Sequence, residues 1–300
     1  IPDERLESVL ARVGRVATGL VLTLTAVAWV GWATGALDLT RIYPTWPPMH
    51  PWTALWLAGL AVAILVQSGG PSPRRIRAGR GLAAMVAVVA VAVLAEYLTG
   101  RTFGIDQVWF QEAVQRLQPT LPGRPSPQTA TASLLLSVAV GLARVNRPRV
   151  RKVWAASLFA AMVMPFVTVL AYLFGAVARL QIADSTGMAL TTALGLLLLG
   201  LALVLMQPAG LLARTDRLSL IRLSMILVGF PLLIGVSRRA FLTLGLREHL
   251  ALTFAVAIAT TALGTAAYRL SRRESELSQT IASDRSLLQA SEARTRLLMD

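Results

Sequence analysis

The sequence predicts an all-α membrane protein of about eight spans, continued by a charged helix on the cytoplasmic side. Three observations predict it. Of 300 residues, 55% are hydrophobic and only 15% are charged. The apolar residues gather in runs which, at about 18 residues or more, read as membrane spans. The basic residues gather in the short stretches between those runs, which gives the chain its net charge of +14. Placed there, they are topology signals and contacts to the lipid bilayer's anionic headgroups, not a nucleic-acid footprint.

The elements follow in order. Residues 1–12 form a charged lead-in, with Leu6, Val9 and Leu10 on one side. The first span is 13–34. A turn rich in proline (Pro44, Pro47, Pro48) stops any helix before the second span, 52–66. Trp29, Trp32, Trp52 and Trp56 are expected together at one membrane interface, as an aromatic belt. The stretch SGGPSPRRIRAGR carries Arg74, Arg75, Arg77 and Arg80 and leads to the third span, 82–98. The longest loop, 99–128, holds an amphipathic piece, IDQVWFQEAVQRL, before the fourth span, 129–143. RVNRPRVRK precedes the fifth span, 154–178, and the turn RLQIADST precedes the sixth, 188–206. A loop with Arg214, Arg217 and Arg222 leads to the seventh, 223–236, and the turn SRRAFLTLGLREH to the eighth, 250–268.

Eight spans place both termini on one side. The three interior loops on that side hold twelve basic residues against eight on the other, and the lead-in and the final helix widen the gap. The positive-inside tendency then makes both ends cytoplasmic. The organisation is a lead-in (1–12), a transmembrane bundle (13–268) and an exit helix (269–300).

The exit helix is expected to transmit motion, because no Gly or Pro interrupts the chain from Thr265 to Asp300. Leu270, Leu277, Ile281, Leu288 and Leu298 lie on a seven-residue seam, interrupted by Glu274, Asp284, Ser291 and Thr295. A seam of this kind suits a parallel two-stranded coil, whose polar positions cost stability and set register. A solvated helix packed on a following domain is the alternative. The chain starts at Ile1 and ends at Asp300 inside this pattern, so a natural start and a further domain are expected outside it, with no cleavable signal peptide.

The sequence also echoes itself. SPQTATASLLLSVAVGL resembles ALTTALGLLLLGLALVL at a shift of 63 residues, and EYLTG (96–100) resembles AYLFG (171–175). Spans one to four and five to eight are therefore expected as two related four-span units of one orientation.

Cysteine is absent, which excludes disulfides and thiolate chemistry. No P-loop, zinc motif or paired-carboxylate site stands out, so no cofactor is evident and the segment itself is expected to catalyse nothing. A retinal Schiff base needs a lysine within a span, and the only lysine is Lys152, at a loop edge. His50, beside Met49, and His249, beside Glu248, are candidate metal or haem ligands, or simply interfacial histidines. Glu96, at the end of the third span, is a candidate by virtue of its depth, near enough to the interface to reach water. Arg238, Arg239 and Arg247 could hold an anionic ligand or a headgroup. Trp46, Phe103, Trp109 and Phe110 could roof an apolar pocket or anchor at the interface. Asp106, Glu112 and Asp184 read as solvated loop acids.

AYLFG…GMALTTALGLLLLGLALVL, PGRPSPQTATASLLL and ILVGFPLLIGVSRRAFLTLGL resemble the multi-span sensor modules that precede PAS domains in bacterial sensor histidine kinases and in diguanylate cyclases or phosphodiesterases. LLQASEARTRLLMD is similar to the helix that opens such a PAS domain. The resemblance runs roughly over 98–300. It implies a sensory input module in the bacterial inner membrane, homodimeric through the exit helix, with the output domain in the same chain. A histidine kinase output is expected ahead of a cyclic-di-GMP enzyme. A small-solute or lipid transporter is the reading from another class.

Overall fold

A computed structural model describes residues 4–69, 72–118, 121–176, 187–206, 228–262, 264–266, 269 and 272. Among the described residues every regular element is a helix: α1 (Glu4–Thr34), a 3-10 turn (Leu37–Thr40), α2 (Pro51–Ser68), α3 (Pro73–Thr99), α4 (Gln111–Leu117), α5 (Pro127–Leu142), α6 (Pro148–Phe174), α7 (Leu190–Leu205), α8 (Phe230–Thr243) and α9 (Glu248–Ala266). Five are long and apolar enough to cross a membrane: α1 from Ser8 onward, α2, α3, α6 and α9. The outward faces agree with that solvent. On α3, Met85, Val88 and Val91 are at least half exposed, one helical turn apart. Such a stripe is costly in water and ordinary in lipid.

Two compact units divide the chain, 1–214 and 215–300. In the first unit α2, α5 and α7 touch one another at the centre. The long helices surround them, each seated between two inner ones: α1 between α7 and α2, α3 between α2 and α5, α6 between α5 and α7. The inner helices are short; α5 and α7 have 16 residues each, about 24 Å at 1.5 Å per residue. Shortness is tolerable there, because irregular backbone at membrane depth is allowed where protein covers it.

This arrangement corrects the four-span repeat. The echoed segments pair α3–α5 with α6–α7, so the unit is one long helix followed by one inner helix, and α1–α2, first along the chain, is another copy of it. The third residue of each inner helix is a buried threonine (Thr53, Thr129, Thr192), followed by a buried alanine (Ala54, Ala130, Ala193). About two turns deeper lie three fully buried leucines, Leu60, Leu136 and Leu199, then Ala63, Ala139 and Ala202. Each long helix gives way to a left-handed glycine: Gly35 (φ 75°), Gly100 (66°) and Gly175 (71°). Glycine carries no Cβ penalty there. Three residues before each glycine an aromatic side chain donates a hydrogen bond to the carbonyl just ahead of the inner helix's N-cap. Trp32 Nε1 reaches Met49 O at 2.8 Å, Tyr97 Oη reaches Pro125 O at 3.2 Å, and Tyr172 Oη reaches Met188 O at 3.0 Å.

The copies conserve volume rather than residue type. A β-carbon on Gly14 would stand 2.7 Å from Met206 Cγ, and one on Gly79 would stand 2.5 Å from Gln67 Cγ. On α6 the glycine's register holds Trp154, and at the end of α5 the register of Met206 and Gln67 holds Ala143. Cores tolerate such exchanges when total volume is kept.

Several sequence boundaries move. From Glu4 the lead-in is helix, continuous with the first span. Arg74–Arg80 and Pro148–Lys152 are the first turns of α3 and α6 rather than loop, each with proline at the start, where its missing N–H is harmless. Ser237–Thr243, expected as a turn, belongs to α8, and α6 ends at Phe174. Trp32 and Trp56 are 3% and 2% exposed, so they are core residues and not part of an interfacial belt. The seventh span lies partly outside the described residues, as do the loop with Arg214, Arg217 and Arg222 and the coil positions Leu270, Leu277, Ile281, Leu288 and Leu298.

Arginines close the end of the first unit where the inner helices finish. Arg80 Nε donates to Gly141 O at 3.0 Å, Arg144 Nη2 to Gln67 O at 2.7 Å, and Arg75 to Gly69 O. Cationic donors satisfy the carbonyls that a helix C-terminus leaves without partners.

Candidate functional site

The opposite end of the first unit carries the site. Its framework is the connection between α3 and α5, of which residues 100–118 and 121–126 are described and form a strap across the start of the inner helices. Three ties hold it. Trp52 Nε1, in the first turn of α2, donates to Ile105 O at 2.6 Å. The Phe103 backbone N–H donates to Glu96 Oε1, also at 2.6 Å. Gly123, with φ 73°, lets the chain pass so close to Asp106 that a β-carbon would lie 2.2 Å from the Asp106 carbonyl oxygen.

Beneath the strap is a buried charge cluster. Arg124 Nε stands 2.7 Å from Asp106 Oδ2 and 3.3 Å from Glu96 Oε2. The side chains of Arg124, Asp106 and Glu96 are 4%, 5% and 0% exposed. The guanidinium also lies 5.3 Å from the centre of the Tyr97 ring, within cation–π range. Asp106 Oδ1 and Glu96 Oε2 are buried without a hydrogen-bond partner. Two carboxyl groups thus share one guanidinium. Burying charges is tolerable only when they are paired and hydrogen-bonded.

The repeat identifies what in this cluster is architectural. In the register of Glu96, the other copies carry Gly31 and Ala171. The fold therefore needs no charge there. The tyrosine beside it, by contrast, is matched by an aromatic in every copy.

A second departure from the repeat is His50. It occupies the N-cap of α2, where α5 has Ser126, whose hydroxyl accepts from Thr129 N at 3.2 Å and thus caps its helix. His50 makes no such bond. Its ring is buried and both nitrogens lack a partner. Burial lowers its pKa from 6.5 to about 4, so the imidazole is neutral near pH 7. Aromatic rings cover this end: Trp109 meets Trp29 edge-on at 5.4 Å and Trp52 at 6.3 Å, and Phe110 meets Trp29 at 5.1 Å.

Of the residues singled out in the sequence, Glu96 belongs to the cluster and Trp109 to the aromatic cover above the same end. Glu96 is fully enclosed rather than in reach of water, and Asp106 is buried rather than solvated. Arg238, Arg239 and Arg247 lie in the second unit. Arg238 is buried and pairs with Glu248, while Arg239, Arg247 and His249 are exposed. Among the described residues no group of three or more His, Cys, Asp or Glu could hold a metal ion. Arg124 is the member of the cluster that the sequence did not single out. Its signal was an arginine between Gly123 and Pro125, held in a Pro-rich stretch two residues ahead of a helix cap.

No protein-family model matches the sequence, and no curated protein or solved structure matches it either.

Proposed function

We propose that this chain is the membrane-embedded sensory input and dimerisation module of a bacterial signal-transduction protein. A sensor histidine kinase is the output that fits first, and a cyclic-di-GMP cyclase or phosphodiesterase the second. Both termini are cytoplasmic in this reading, which puts the strap on the outer face of the inner membrane. The observation that carries it is the enclosed Glu96–Arg124–Asp106 cluster under the strap. Charge has been placed in one copy of a repeat that folds without it in the other two, at the end where an external stimulus arrives. The last span supplies the output side: α9 runs to Ala266, and Arg269 and Arg272 beyond it are helical. A stimulus that changes how the strap is held would bias two arrangements of the bundle and of that exit helix, by no more than its differential affinity for them.

The chain has no cysteine, so single cysteines placed along 270–298 can be cross-linked without background. In native membranes, Leu270, Leu277, Ile281, Leu288 and Leu298 changed to Cys should form disulfide dimers faster than their neighbours on either side. Cross-linking without a seven-residue rhythm, or none at any position, would remove the dimeric exit helix and the reading with it.

A further inference from the structure

We propose that the Glu96–Arg124–Asp106 cluster is a proton-operated latch, in which one proton shared between the two carboxyl groups holds the strap closed on the bundle. The inference deepens the sensory reading by naming its stimulus, and rests on that reading only for the step from strap to exit helix.

Charge arithmetic comes first. With both carboxyl groups ionised and Arg124 charged, the cluster carries one net negative charge, although its side chains are at most 5% exposed. An uncompensated buried charge is among the most expensive things a protein can hold. One proton makes the cluster neutral. It forms an O–H bond on one carboxyl group, which donates to the other, and no other bond changes. It also supplies the donor that Asp106 Oδ1 and Glu96 Oε2 lack. Carboxyl groups in contact behave this way as a pair, not as two independent acids.

The surroundings offer no substitute charge. On α3 the nearest titratable neighbour is Tyr97, which holds the Pro125 carbonyl. On α2 it is His50, neutral near pH 7 through burial. α5 carries no ionisable side chain. On α4, Glu112 and Arg116 pair with each other at 3.6 Å in the open, and at the 3-10 turn the largely covered Arg41 is engaged by the exposed Asp38 at 3.7 Å. The start of α5 adds a partial positive charge of about half a unit, short of what the cluster needs.

The comparison of copies makes the site dispensable for folding. Glu96→Ala reproduces Ala171 of the α6–α7 copy and leaves Arg124 and Asp106 as a neutral one-to-one pair. The variant loses the tie to Phe103 N–H, but with the remaining pair balanced the hold on the strap would no longer change with pH. Opening exposes the carboxyl groups to water, where they ionise separately, so the closed state holds the extra proton and a rise in pH favours opening.

The test uses Val114→Cys, on the strap's own helix α4 and buried while the strap is closed, and Val108→Cys, exposed on the strap. Each is placed alone in the 300-residue chain in liposomes and labelled with a membrane-impermeant maleimide from pH 5 to pH 9. The ratio of the two rates cancels the pH dependence of the thiol itself. It should rise about tenfold or more with pH, and stay flat with Glu96→Ala or Asp106→Asn. Should one of these variants fail to accumulate, the other carries the comparison. A flat ratio in the otherwise native chain, or an unchanged rise in both variants, would overturn the latch. Cross-linking at Leu277→Cys over the same pH range separates the two ideas. A strap that titrates while the exit helix stays unmoved upholds the latch and removes the sensory reading.

Discussion

Gln67 and Gly79 stand so close that a β-carbon on residue 79 would lie 2.5 Å from Gln67 Cγ and 2.9 Å from the Ala63 carbonyl oxygen. A side-chain tip can swing away from such a contact, but a helix backbone cannot. Gln67 is itself fixed, since its Nε2 donates to Val140 O at 3.2 Å across to α5. Gly79→Ala should therefore separate α2 from α3 at the end of the bundle where the arginines lie. The expected loss is about 2 kcal/mol, in the range of overpacked cores. Gly81→Ala, two residues on in open space, should be neutral. Thermal unfolding in detergent distinguishes the two.

The aromatic ties make a graded prediction. Tyr172 Oη and Tyr97 Oη hold equivalent carbonyls, but Tyr97 also carries Arg124 over its ring. Tyr172→Phe removes one hydrogen bond and should cost about 1 kcal/mol. Tyr97→Phe keeps the ring and should cost about the same. Tyr97→Leu should cost more than Tyr172→Leu by about 1 kcal/mol, the scale of a partly desolvated cation–π contact. Equal losses for the two leucine variants would contradict the role given to the Tyr97 ring.

His50 sets an acid limit on stability. Its folded-state pKa of about 4 lies below the ordinary 6.5, so below pH 6.5 the unfolded chain binds a proton that the folded chain refuses. Stability is unaffected above that value, falls as pH drops from 6.5 toward 4, and levels off below. The full loss is about 3 kcal/mol. His50→Ser, which copies the cap of α5, should abolish this part of the acid sensitivity. An unchanged acid profile in that variant would show that the loss arises elsewhere.

Removing members of the charge cluster should have very unequal effects. Arg124→Ala leaves two enclosed carboxyl groups without a cation and should cost about 3–5 kcal/mol. Glu96→Ala leaves a balanced pair and should cost about 1 kcal/mol or less. Chemical denaturation of both variants checks the order. A Glu96 variant as damaging as the Arg124 variant would mean that the carboxylate, not the balance of charge, holds the strap.

The helices were legible because lipid-facing and buried runs are both apolar, so composition finds them whatever their role. The same fact hid their arrangement. Hydropathy cannot tell α3, with its outward Met85 and Val88, from α5, enclosed at the centre. The echo between 126–142 and 189–205 was visible, yet the α1–α2 copy was not. Trp32 stands there for tyrosine and His50 for a cap, so letters diverge where geometry does not. Glu96 could be singled out, since a carboxylate at membrane depth is conspicuous. Its partners could not, because Asp106 and Arg124 look like ordinary loop residues until the strap folds over them. The ends of α3 and α6 were misjudged for a related reason: arginines near a membrane read as loop, although nothing prevents an arginine-rich first turn.

The most direct measurement asks whether the exit helix feels the charge cluster. Leu277→Cys, in native membranes at pH 7, gives a rate of disulfide dimer formation with the cluster intact and with Arg124→Ala. The account predicts rates that differ by about threefold or more, since a coupling of well under 1 kcal/mol could not serve as a signal. Equal rates, in a variant shown to be folded and inserted, would contradict it.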